Sequence, residues 1–545
     1  MTQLLSRRGF VGIATMTALG AVLSPMLPAC RSNVASNQGD ASGNERNEVI
    51  ICMGPSSEPA AGFDPLFNWG CGEHSHEPLI QSTLITTTVD MGFANDLASA
   101  YQVSEDGLTW TFSIRNDVKF SDGVPLTARD VAFTINGIRA SGGSSADLSM
   151  IKEVTAPDDT TVEIHLERPH NALLYLLAVI GIVPEHAYGA DYGAHPIGSG
   201  RYLLEQWDRG QQIILKANPD YYGDAPLMQR VVVVFMSEDA SLSAVRAGQV
   251  DIAGTSAVFS NQTVEGYDLF VAPSVDSRGI SLPCLPPGDD SEMYKLKRPA
   301  SSQVTRDIAI RRALNLVIDR ELMVNNVLNG YGTAAFSVAD GMPWASPDMR
   351  LTSSVEAAKT ILADSGWTPG FGGLLQKNGL EATLYLLYPA GDSLRQSLAH
   401  EFSNQVRQLG IDVQVSGLSW DEIYRRQYSD LVLWGWGSNS PTELYSLYHS
   451  KGSCNFPRYE SAVVDGYLEA ALATPTVEES FPLWQKAQWD GAQGVAPQGE
   501  ATWVWLVNVD HLYFKRKNLV VAQQKLHPHG HGWSLVNNVD RWTWQ

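Results

Sequence analysis

Two clusters of histidines contain residue types that bind metal ions. The stretch CGEHSHE, residues 71–77, places one thiol, two carboxylates and the imidazoles of His74 and His76 within seven residues. Neutral imidazole and carboxylate groups suit first-row divalent metals. We therefore take His74 and His76 as candidate metal ligands, with exposed loop histidines as the simpler alternative. A second candidate group lies near the C-terminus in the stretch HPHGHGW, at every second position: His527, His529 and His531.

Residue patterns that support catalysis do not occur in the sequence. There is no GxxxxGK[ST] phosphate-binding loop and no GxSxG nucleophile turn. The stretch GWGSNS lacks the third glycine of a dinucleotide-binding fingerprint. HEPLI begins like a zinc-protease helix at His76, but the second histidine is missing and Pro78 would break the helix. We expect no catalytic residues and no enzymatic activity, and an exported hydrolase with an atypical site is the alternative.

A stretch rich in tryptophan and glycine is the candidate for ligand binding. In LVLWGWGSNSPTELY, residues 431–445, Trp434 and Trp436 alternate with glycines. Glycine in a strand often marks close approach to the backbone, and tryptophan suits a flat apolar face that meets a polar partner. The alternative is a core strand that ends in a turn at Ser440 and Pro441.

The composition is that of an acidic globular protein. The 545 residues carry a formal net charge of −21, with 44% hydrophobic and 18% charged residues. This hydrophobic content allows a large core and argues against disorder. This negative charge makes nucleic acid and anionic membrane surfaces poor partners. The acidic residues are spread along the chain.

The N-terminal segment has the features of an export signal. It reads MTQLLSRRGFVGIATMTALGAVLSPMLPAC, and its apolar run is too short for a transmembrane helix. SRRGFVG fits a twin-arginine signal, and LPAC fits a lipoprotein box in which Cys30 is lipidated. An ordinary signal with a coincidental cysteine is the alternative. We predict a signal over residues 1–29, a flexible tether over 30–47, and anchoring to the outer face of the cytoplasmic membrane.

Four cysteines remain after Cys30, and an exported protein is permitted disulfide bonds. Spacing does not choose among the three pairings that four cysteines allow. No CxxC pattern occurs, which argues against a zinc ribbon or a redox motif. The four residues are Cys52, Cys71, Cys284 and Cys454.

Strand and helix patterns alternate through residues 230–437, which predicts an α/β fold. RVVVVFM and DLVLWGW are typical of buried strands, and IDVQVSG has the period of two of a half-buried strand. Ser353 and Ser419 each precede a Glu by three residues, which predicts capped helices that begin there.

Several blocks of the sequence together resemble one family, the extracellular solute-binding proteins of family 5, which serve peptide and nickel ABC importers. DLASAYQVSEDGLTWTFSIRNDVKFSDGVPLTARDVAFTI is similar to the most diagnostic block of that family. HPIGSGRYLLEQWDRGQQIILKANPDYYGDAP, AVRAGQVDIA, RRALNLVIDRELMVNNVLNGYG and AAKTILADSGW follow in the order of the family. The resemblance covers about residues 50–520.

The resemblance implies a two-lobed α/β fold of the periplasmic-binding-protein type, with an extra domain inserted in the first lobe. Closure of the lobes around the solute is a standard device of this architecture. The family's pattern places the inserted domain at residues 85–196 and the second lobe at 284–506. The first lobe is then built from three segments: 48–84, 197–283 and 507–545.

The resemblance also implies that Gly435–Asn439 lines the ligand cleft. In several peptide-binding members the last position of this segment is an Asp that pairs with the ammonium group of the peptide, and here it is Asn439. Either Glu443 or another acid replaces that charge, or the ligand has no free α-amine. The ligand contacts that we expect are Trp69, His74, Tyr388, Trp434, Trp436, Gly437, Asn439 and Glu443.

The function implied is that of a lipid-anchored receptor that captures a short peptide or peptide-like solute and delivers it to an ABC permease. A nickel or other metal chelate, bound with help from His74 and His76, is the alternative cargo. We expect a monomer with no resident cofactor and no nucleic-acid partner.

Overall fold

The computed structural model describes residues 46–67, 70–71, 74–141, 146–284, 298, 300–530 and 532–545. For residues 70, 71, 74 and 75 it describes the backbone alone. The predicted signal, Cys30, Trp69 and His531 lie outside the described residues, as does the side chain of His74. In the described part of the chain, no helix combines the length and apolar character that crossing a membrane requires.

The strands, numbered in chain order, are β1 (Glu48–Met53), β2 (Gly70–Cys71), β3 (His74–Ser75), β4 (Ile85–Thr87), β5 (Phe93–Asn95), β6 (Ala98–Val103), β7 (Thr109–Ile114), β8 (Ile151–Asp158), β9 (Thr161–Leu166), β10 (Tyr202–Asp208), β11 (Gln212–Ala217), β12 (Arg230–Phe235), β13 (Ile252–Thr255), β14 (Tyr267–Ala272), β15 (Ser277–Ser281), β16 (Gly332–Ala334), β17 (Thr368–Pro369), β18 (Leu375–Lys377), β19 (Leu380–Glu381), β20 (Thr383–Pro389), β21 (Asp412–Leu418), β22 (Leu431–Trp436), β23 (Trp503–Val509), β24 (His511–Arg516), β25 (Leu519–Val520) and β26 (Thr543–Trp544).

The α-helices are α1 (Ala128–Ser141), α2 (Leu173–Leu177), α3 (Glu238–Arg246), α4 (Ser301–Thr305), α5 (Ile308–Val317), α6 (Arg320–Val327), α7 (Val355–Asp364), α8 (Ser393–Val406), α9 (Trp420–Arg426), α10 (Thr442–Tyr448), α11 (Ala462–Leu472) and α12 (Val477–Gln488).

Side-chain caps account for where several of these helices begin. Ser419 accepts a hydrogen bond from the backbone N–H of Glu422 and caps α9, as predicted. The predicted cap of α7 is displaced by one residue, because Ser354, not Ser353, accepts from the backbone N–H of Ala357. Ser353 and Ser354 each carry a hydroxyl that can cap a helix, so the local sequence pattern does not show which of them does.

The first lobe is built on a seven-stranded sheet in the order β10-β11-β12-β1-β13-β24-β14. Its central strand β1 runs parallel to β12 and β13, whereas β24 is antiparallel to both β13 and β14. Strands that are covered on both faces read as continuous apolar runs. VIIC in β1 and VVVV in β12 fit this description, and Val49, Ile51, Val231 and Val233 are fully buried.

The second lobe is built on a six-stranded sheet in the order β16-β23-β15-β22-β20-β21. β20 is parallel to β21 and β22, and β15 is antiparallel to β22 and β23. Helices α5 to α8 contribute to one hydrophobic core with these strands, in which Leu314, Leu384 and Phe402 are fully buried. The predicted α/β fold is confirmed.

An antiparallel four-stranded sheet, β6-β7-β9-β8, is inserted between β1 and β10. Helix α1 packs on β8 and β9. Apolar residues alternate on the inner face of β7, where Trp110, Phe112 and Ile114 are buried in a core with α1. We call this part the inserted domain; its strands and helix fall within the range predicted for it, 85–196.

The chain crosses between the two large sheets at residues 273–276 and again at Asp510. The first crossing joins β14 to β15 and the second joins β23 to β24. The predicted lobe boundary at 283/284 is therefore too late, because β15 pairs within the second sheet. The boundary at 506/507 is too early, because β23 extends to Val509. Apolar strands of either sheet look alike in sequence, so hydropathy does not mark where the chain changes sheets.

The cysteines that the structure describes fully are thiols. Cys52, Cys284 and Cys454 form no disulfide bond, and the side chain of Cys71 lies outside the described residues. Cys52 and Cys284 are enclosed by protein, and burial raises the pKa of both thiols, that of Cys284 to about 11.

We predict that Gly279→Ala destabilises the second lobe. A Cβ at this position would lie 2.4 Å from the ring of Trp505. That ring is buried, stacks on Trp503 at 4.9 Å and donates its indole N–H to Tyr448 Oη at 2.9 Å, so it has no room to move. Overpacking of this kind costs about 1–3 kcal/mol of unfolding free energy.

The matched control is Gly466→Ala in α11. Nothing lies within 4 Å of a Cβ at this exposed helical glycine. The substitution should raise the unfolding free energy by about 0.5–1 kcal/mol, because alanine loses less backbone freedom than glycine. Urea unfolding of both variants measures the contrast, and equal stabilities would contradict it.

Candidate functional site

A cavity of about 900 Å³ lies where the inserted domain, the second lobe and the C-terminal segment meet. Its described wall residues fall within 76–87, 138–139, 146–179, 436–472, 525–529 and 533–537. The second-lobe wall is the end of β22 and the helix α10 that follows it. Trp533 of the C-terminal segment packs in the core of the first lobe with Val49 and Ile51, so the cavity is bounded by both lobes and a molecule held in it would touch each of them.

Gly437 turns the chain out of β22 into the cavity wall. Its φ is 147°, and a Cβ there would lie 2.0 Å from the carbonyl oxygen of Val275, so the position requires glycine. The N–H of Gly437 donates to Glu443 Oε1 at 3.0 Å, and its carbonyl accepts from the N–H of His529 at 2.8 Å. One residue is therefore tied both to α10 and to the C-terminal segment.

Glu443 lies in the first turn of α10 and faces the cavity. Its carboxyl accepts hydrogen bonds from the backbone N–H groups of Gly437 and Ser438. Desolvation within the protein outweighs these bonds and raises the pKa of Glu443 to about 8, with the nearby charge of Asp276 adding to the increase. At neutral pH this carboxyl is therefore mostly protonated, although it retains some accessible surface towards the cavity.

Three further oxygen atoms in the cavity wall are buried and have no hydrogen-bond partner among the described residues. Asn439 donates its amide to the carbonyl of Leu526 at 3.2 Å, which leaves Oδ1 without a donor. The other two atoms are Ser534 Oγ and Asn537 Oδ1, both in the C-terminal segment. A buried polar atom without a partner costs about 1–3 kcal/mol, so the wall is suited to a ligand that donates hydrogen bonds.

The other acids next to this wall have cationic partners. Burial alone would raise the pKa of Asp276, but Arg278 and hydrogen bonds from His511 and His529 hold it well below its usual value. Glu77 accepts from Lys525 Nζ at 2.6 and 2.8 Å. Among the described part-buried acids of the cavity, Glu443 is the one without a cation.

Two of the predicted ligand contacts belong to the core and do not line the cavity. Trp434 stacks on Phe456 at 4.2 Å and donates its indole N–H to Ser281 Oγ at 3.0 Å. Tyr388 packs in the hydrophobic core of the second lobe, and its ring contacts Gly417. Their expected role as aromatic walls is corrected: Trp434 and Trp436 lie two residues apart on the same face of β22, but Trp436 ends the strand and reaches the cavity, whereas Trp434 packs against Trp420 and Phe456.

The predicted contacts Trp436, Gly437, Asn439 and Glu443 do line the cavity together. Sequence reasoning missed three further aromatic residues of the wall, which are Tyr175, Tyr445 and Trp533. Tyr445 lies in the quoted tryptophan-rich stretch, two residues after Glu443, and that proximity was a usable signal. Tyr175 and Trp533 carry no local signal, because tertiary folding alone brings them to the site.

The histidine clusters have different environments. His76 lines the cavity, and burial together with the neighbouring His529 lowers its pKa to about 3. His527 and His529 are buried; His527 Nδ1 lies 3.0 Å from His511 Nδ1, and His529 Nδ1 lies 2.5 Å from Asp276 Oδ1. Within the described residues no group of three or more His, Cys, Asp or Glu side chains is placed to hold a metal ion. A site formed by His74 and His76 stays a prediction.

The architecture and the inter-lobe cavity define a solute-binding protein fold, and comparison with known proteins agrees. NikZ from Campylobacter jejuni, solved in complex with Ni(L-His), has a TM-score of 0.78 at 23% identity, covering 92% of this chain and all of that one. AppA from Bacillus subtilis, solved with a nonapeptide, has a TM-score of 0.73 at 21% identity, with the same coverage. These likenesses show the fold.

Sequence comparison assigns the family. The model for bacterial extracellular solute-binding proteins, family 5 (middle), matches residues 92–457. Protein XP55 from Streptomyces lividans is 31% identical over 494 residues, which is 86% of this chain and 85% of that protein. The chain belongs to the family 5 extracellular solute-binding proteins.

We predict that Glu443→Gln removes a pH-dependent loss of stability. A carboxyl whose pKa is raised by folding contributes stability that is complete below its unfolded pKa of 4.5 and is lost as the pH rises through about 8. Over that window the wild type should lose up to about 1.4 kcal/mol of unfolding free energy per pH unit relative to the glutamine variant.

Urea unfolding of both proteins from pH 5 to 9 measures this difference. Glu422→Gln is the control, because Glu422 also lies in the first turn of a helix, α9, but not in the cavity wall. If the unfolding free energies of wild type and Glu443→Gln change with pH in parallel across this range, Glu443 titrates normally and the prediction is wrong.

Proposed function

We propose that this protein is the substrate-binding component of an ABC importer, and that it captures a short peptide or peptide-like solute between its lobes. The observation that carries the proposal is the cavity with walls from both lobes. A ligand promotes closure only if it contacts both lobes in the closed form. At about 900 Å³ the cavity lies near the upper end of the usual range for small-ligand sites, about 300–1,000 Å³.

The polar groups of the wall favour a ligand with an amine. Asn439 Oδ1, Ser534 Oγ and the carboxyl of Glu443 are hydrogen-bond acceptors in the wall, and an ammonium group is a donor. A cation next to Glu443 would favour its ionised form, and a charge-assisted hydrogen bond is about twice as strong as a neutral one. Glu443 is thus positioned to replace the charge that Asn439 lacks.

Cationic side chains elsewhere in the cavity wall suit the opposite end of such a ligand. Arg139 and Arg168 come from the inserted domain, and Lys451 comes from the second lobe beyond α10. All three are exposed, and Arg139 also donates to the carbonyl of Lys152 at 2.6 Å. A carboxylate is the group that arginine binds best, through two parallel hydrogen bonds.

A metal chelate is the second candidate cargo, because His76 lines the cavity as a neutral imidazole. NikZ, a protein of the same fold, binds Ni(L-His). An organic chelate would supply most of the ligands itself, so the protein would need to add a single nitrogen atom.

The proposal includes the location of the protein and the permease with which it works. Lipidation of Cys30 anchors the chain to the outer face of the cytoplasmic membrane, where it works as a monomer with the permease. The ligand leaves the cavity unaltered, since the protein performs no chemistry on it.

We predict that a peptide panel will identify binders by a rise in melting temperature. The panel holds di- to pentapeptides with free or acetylated N-termini, and Ni²⁺ with histidine as a separate arm. A ligand at one hundred times its Kd should raise the unfolding free energy by about 2.7 kcal/mol. Stabilisation by free-amine peptides favours the main proposal, stabilisation by the nickel arm favours the second, and no response to any arm argues against both.

We further predict that an amine ligand releases a proton from Glu443 on binding. The carboxyl is protonated at pH 7 and ionises when an ammonium group approaches it. Titration calorimetry in two buffers of different ionisation enthalpy measures the number of protons released. We expect the wild type to release up to about one proton and Glu443→Gln to release none. The variant should also bind the ligand about 10-fold or more weakly, because it loses one charged hydrogen bond. Proton release that persists in the variant would assign it to another group.

A further inference from the structure

Asn171 connects the inserted domain to the second lobe at the edge of the cavity. It follows β9 and directly precedes α2, and 6% of its surface is exposed. Its partners are the end of α11 and the turn that leads to α12, both in the second lobe. His170 and Leu472, which flank this contact from the two sides, line the cavity.

The contact is a helix cap supplied by a different lobe. The backbone N–H of Asn171 donates to Leu472 O at 3.0 Å, and its side-chain amide donates to Ala471 O at 2.8 Å. The last carbonyls of a helix have no donor within the helix, and the bond from Asn171 satisfies Leu472 O, whereas Ala471 O also accepts from Thr474 Oγ1 at 3.1 Å. The amide also lies 2.7 Å from Thr474 Oγ1 and 3.2 Å from the carbonyls of Thr474 and Thr476.

When the lobes open, the hydrogen bonds from Asn171 to the end of α11 and to the turn that follows it must all break together. Asn171 belongs to the inserted domain, whereas α11 and α12 pack on each other and on the core of the second lobe. The neighbouring contact between the two parts is the edge-to-face pair of Tyr175 and Trp344, with ring centroids 6.5 Å apart. That pair is less directional than the hydrogen bonds of the cap, which together with the hydrogen bond between Arg168 and Tyr445 of α10 fix the register of the two surfaces.

We propose that Asn171 is a positioning residue that latches the inserted domain to the α11–α12 turn and so determines how readily the cavity opens. This inference rests on the proposed function, because opening and closing of the lobes is the proposed mode of capture. In this proposal Asn171 does not contact the ligand. It increases the fraction of molecules that are in the closed form.

The test uses Asn171→Asp, which keeps the size of the side chain. A carboxylate there would face the carbonyls of Ala471, Thr474 and Thr476 and the negative end of the helix dipole, and it has no proton to donate. The control is Asn136→Asp in α1 of the same domain. Asn136 Nδ2 also donates to a backbone carbonyl, that of Val154 at 2.8 Å, but this bond lies wholly within the inserted domain.

Two measurements on the full unliganded chain decide between a latch and a local structural role. Hydrogen exchange should be about tenfold faster at residues 171–177 and 470–476 in Asn171→Asp, which corresponds to about 1.4 kcal/mol. Small-angle scattering should show a larger radius of gyration, which fraying of one helix turn would not produce. In Asn136→Asp the faster exchange should stay within the inserted domain, with no change of radius.

Unchanged exchange at residues 470–476, or faster exchange with an unchanged radius, would overturn the latch. If Asn171→Asp does not fold, Asn171→Ala replaces it with the same expectations. Dissociation of trialanine, measured by stopped flow, gives the functional readout and should be about tenfold faster in the variant. If trialanine does not bind the wild type, this arm counts against the proposed peptide function, while exchange and scattering still decide the latch.

Discussion

Neutralisation of one buried carboxylate, Asp276, holds the two lobes in a defined relation. Asp276 lies on the first crossing between the sheets and is contacted by Arg278 from β15, His511 from β24 and His529 from the C-terminal segment. Removing one partner of a buried ion pair is strongly destabilising, because it leaves an uncompensated charge. The cluster therefore joins both crossings and the C-terminal segment at one point. His529 in turn binds the carbonyl of Gly437, so the geometry of the cavity wall depends on the same charge.

The cavity itself combines one uncharged acid with acceptors that lack donors. This arrangement differs from a preformed ion-binding site, in which the countercharge is present before the ligand arrives. A protonated carboxyl is less costly to enclose than a carboxylate, so the protein can keep an acid in the wall without a lysine or arginine to pair with it. Under the proposed function, a cationic ligand meets the cost of ionising this carboxyl.

The sequence was informative wherever a local pattern determines a local structure. Buried strands such as β1, β12 and β22 were recognisable as apolar runs, and the turn at Gly437 was marked by glycine. The blocks that resemble the family occur in its order, and this resemblance predicts the two-lobed fold. The sequence could not tell that Trp436 faces the cavity and Trp434 faces Phe456, because both occupy equivalent positions in a strand buried on both sides. It also could not reveal Asn171, whose importance comes from a helix some 300 residues away in the chain.

The position of β24 between β13 and β14 has a consequence for biosynthesis. The first sheet begins with β1 at residue 48 but is completed by residues 511–516, and residues 525–537 supply the last cavity wall. A nascent chain that has exposed most of the first lobe still lacks the strand that joins β14 to the rest of the sheet. Pairings between such distant segments form slowly. The cavity is therefore complete only when almost the whole chain has been synthesised.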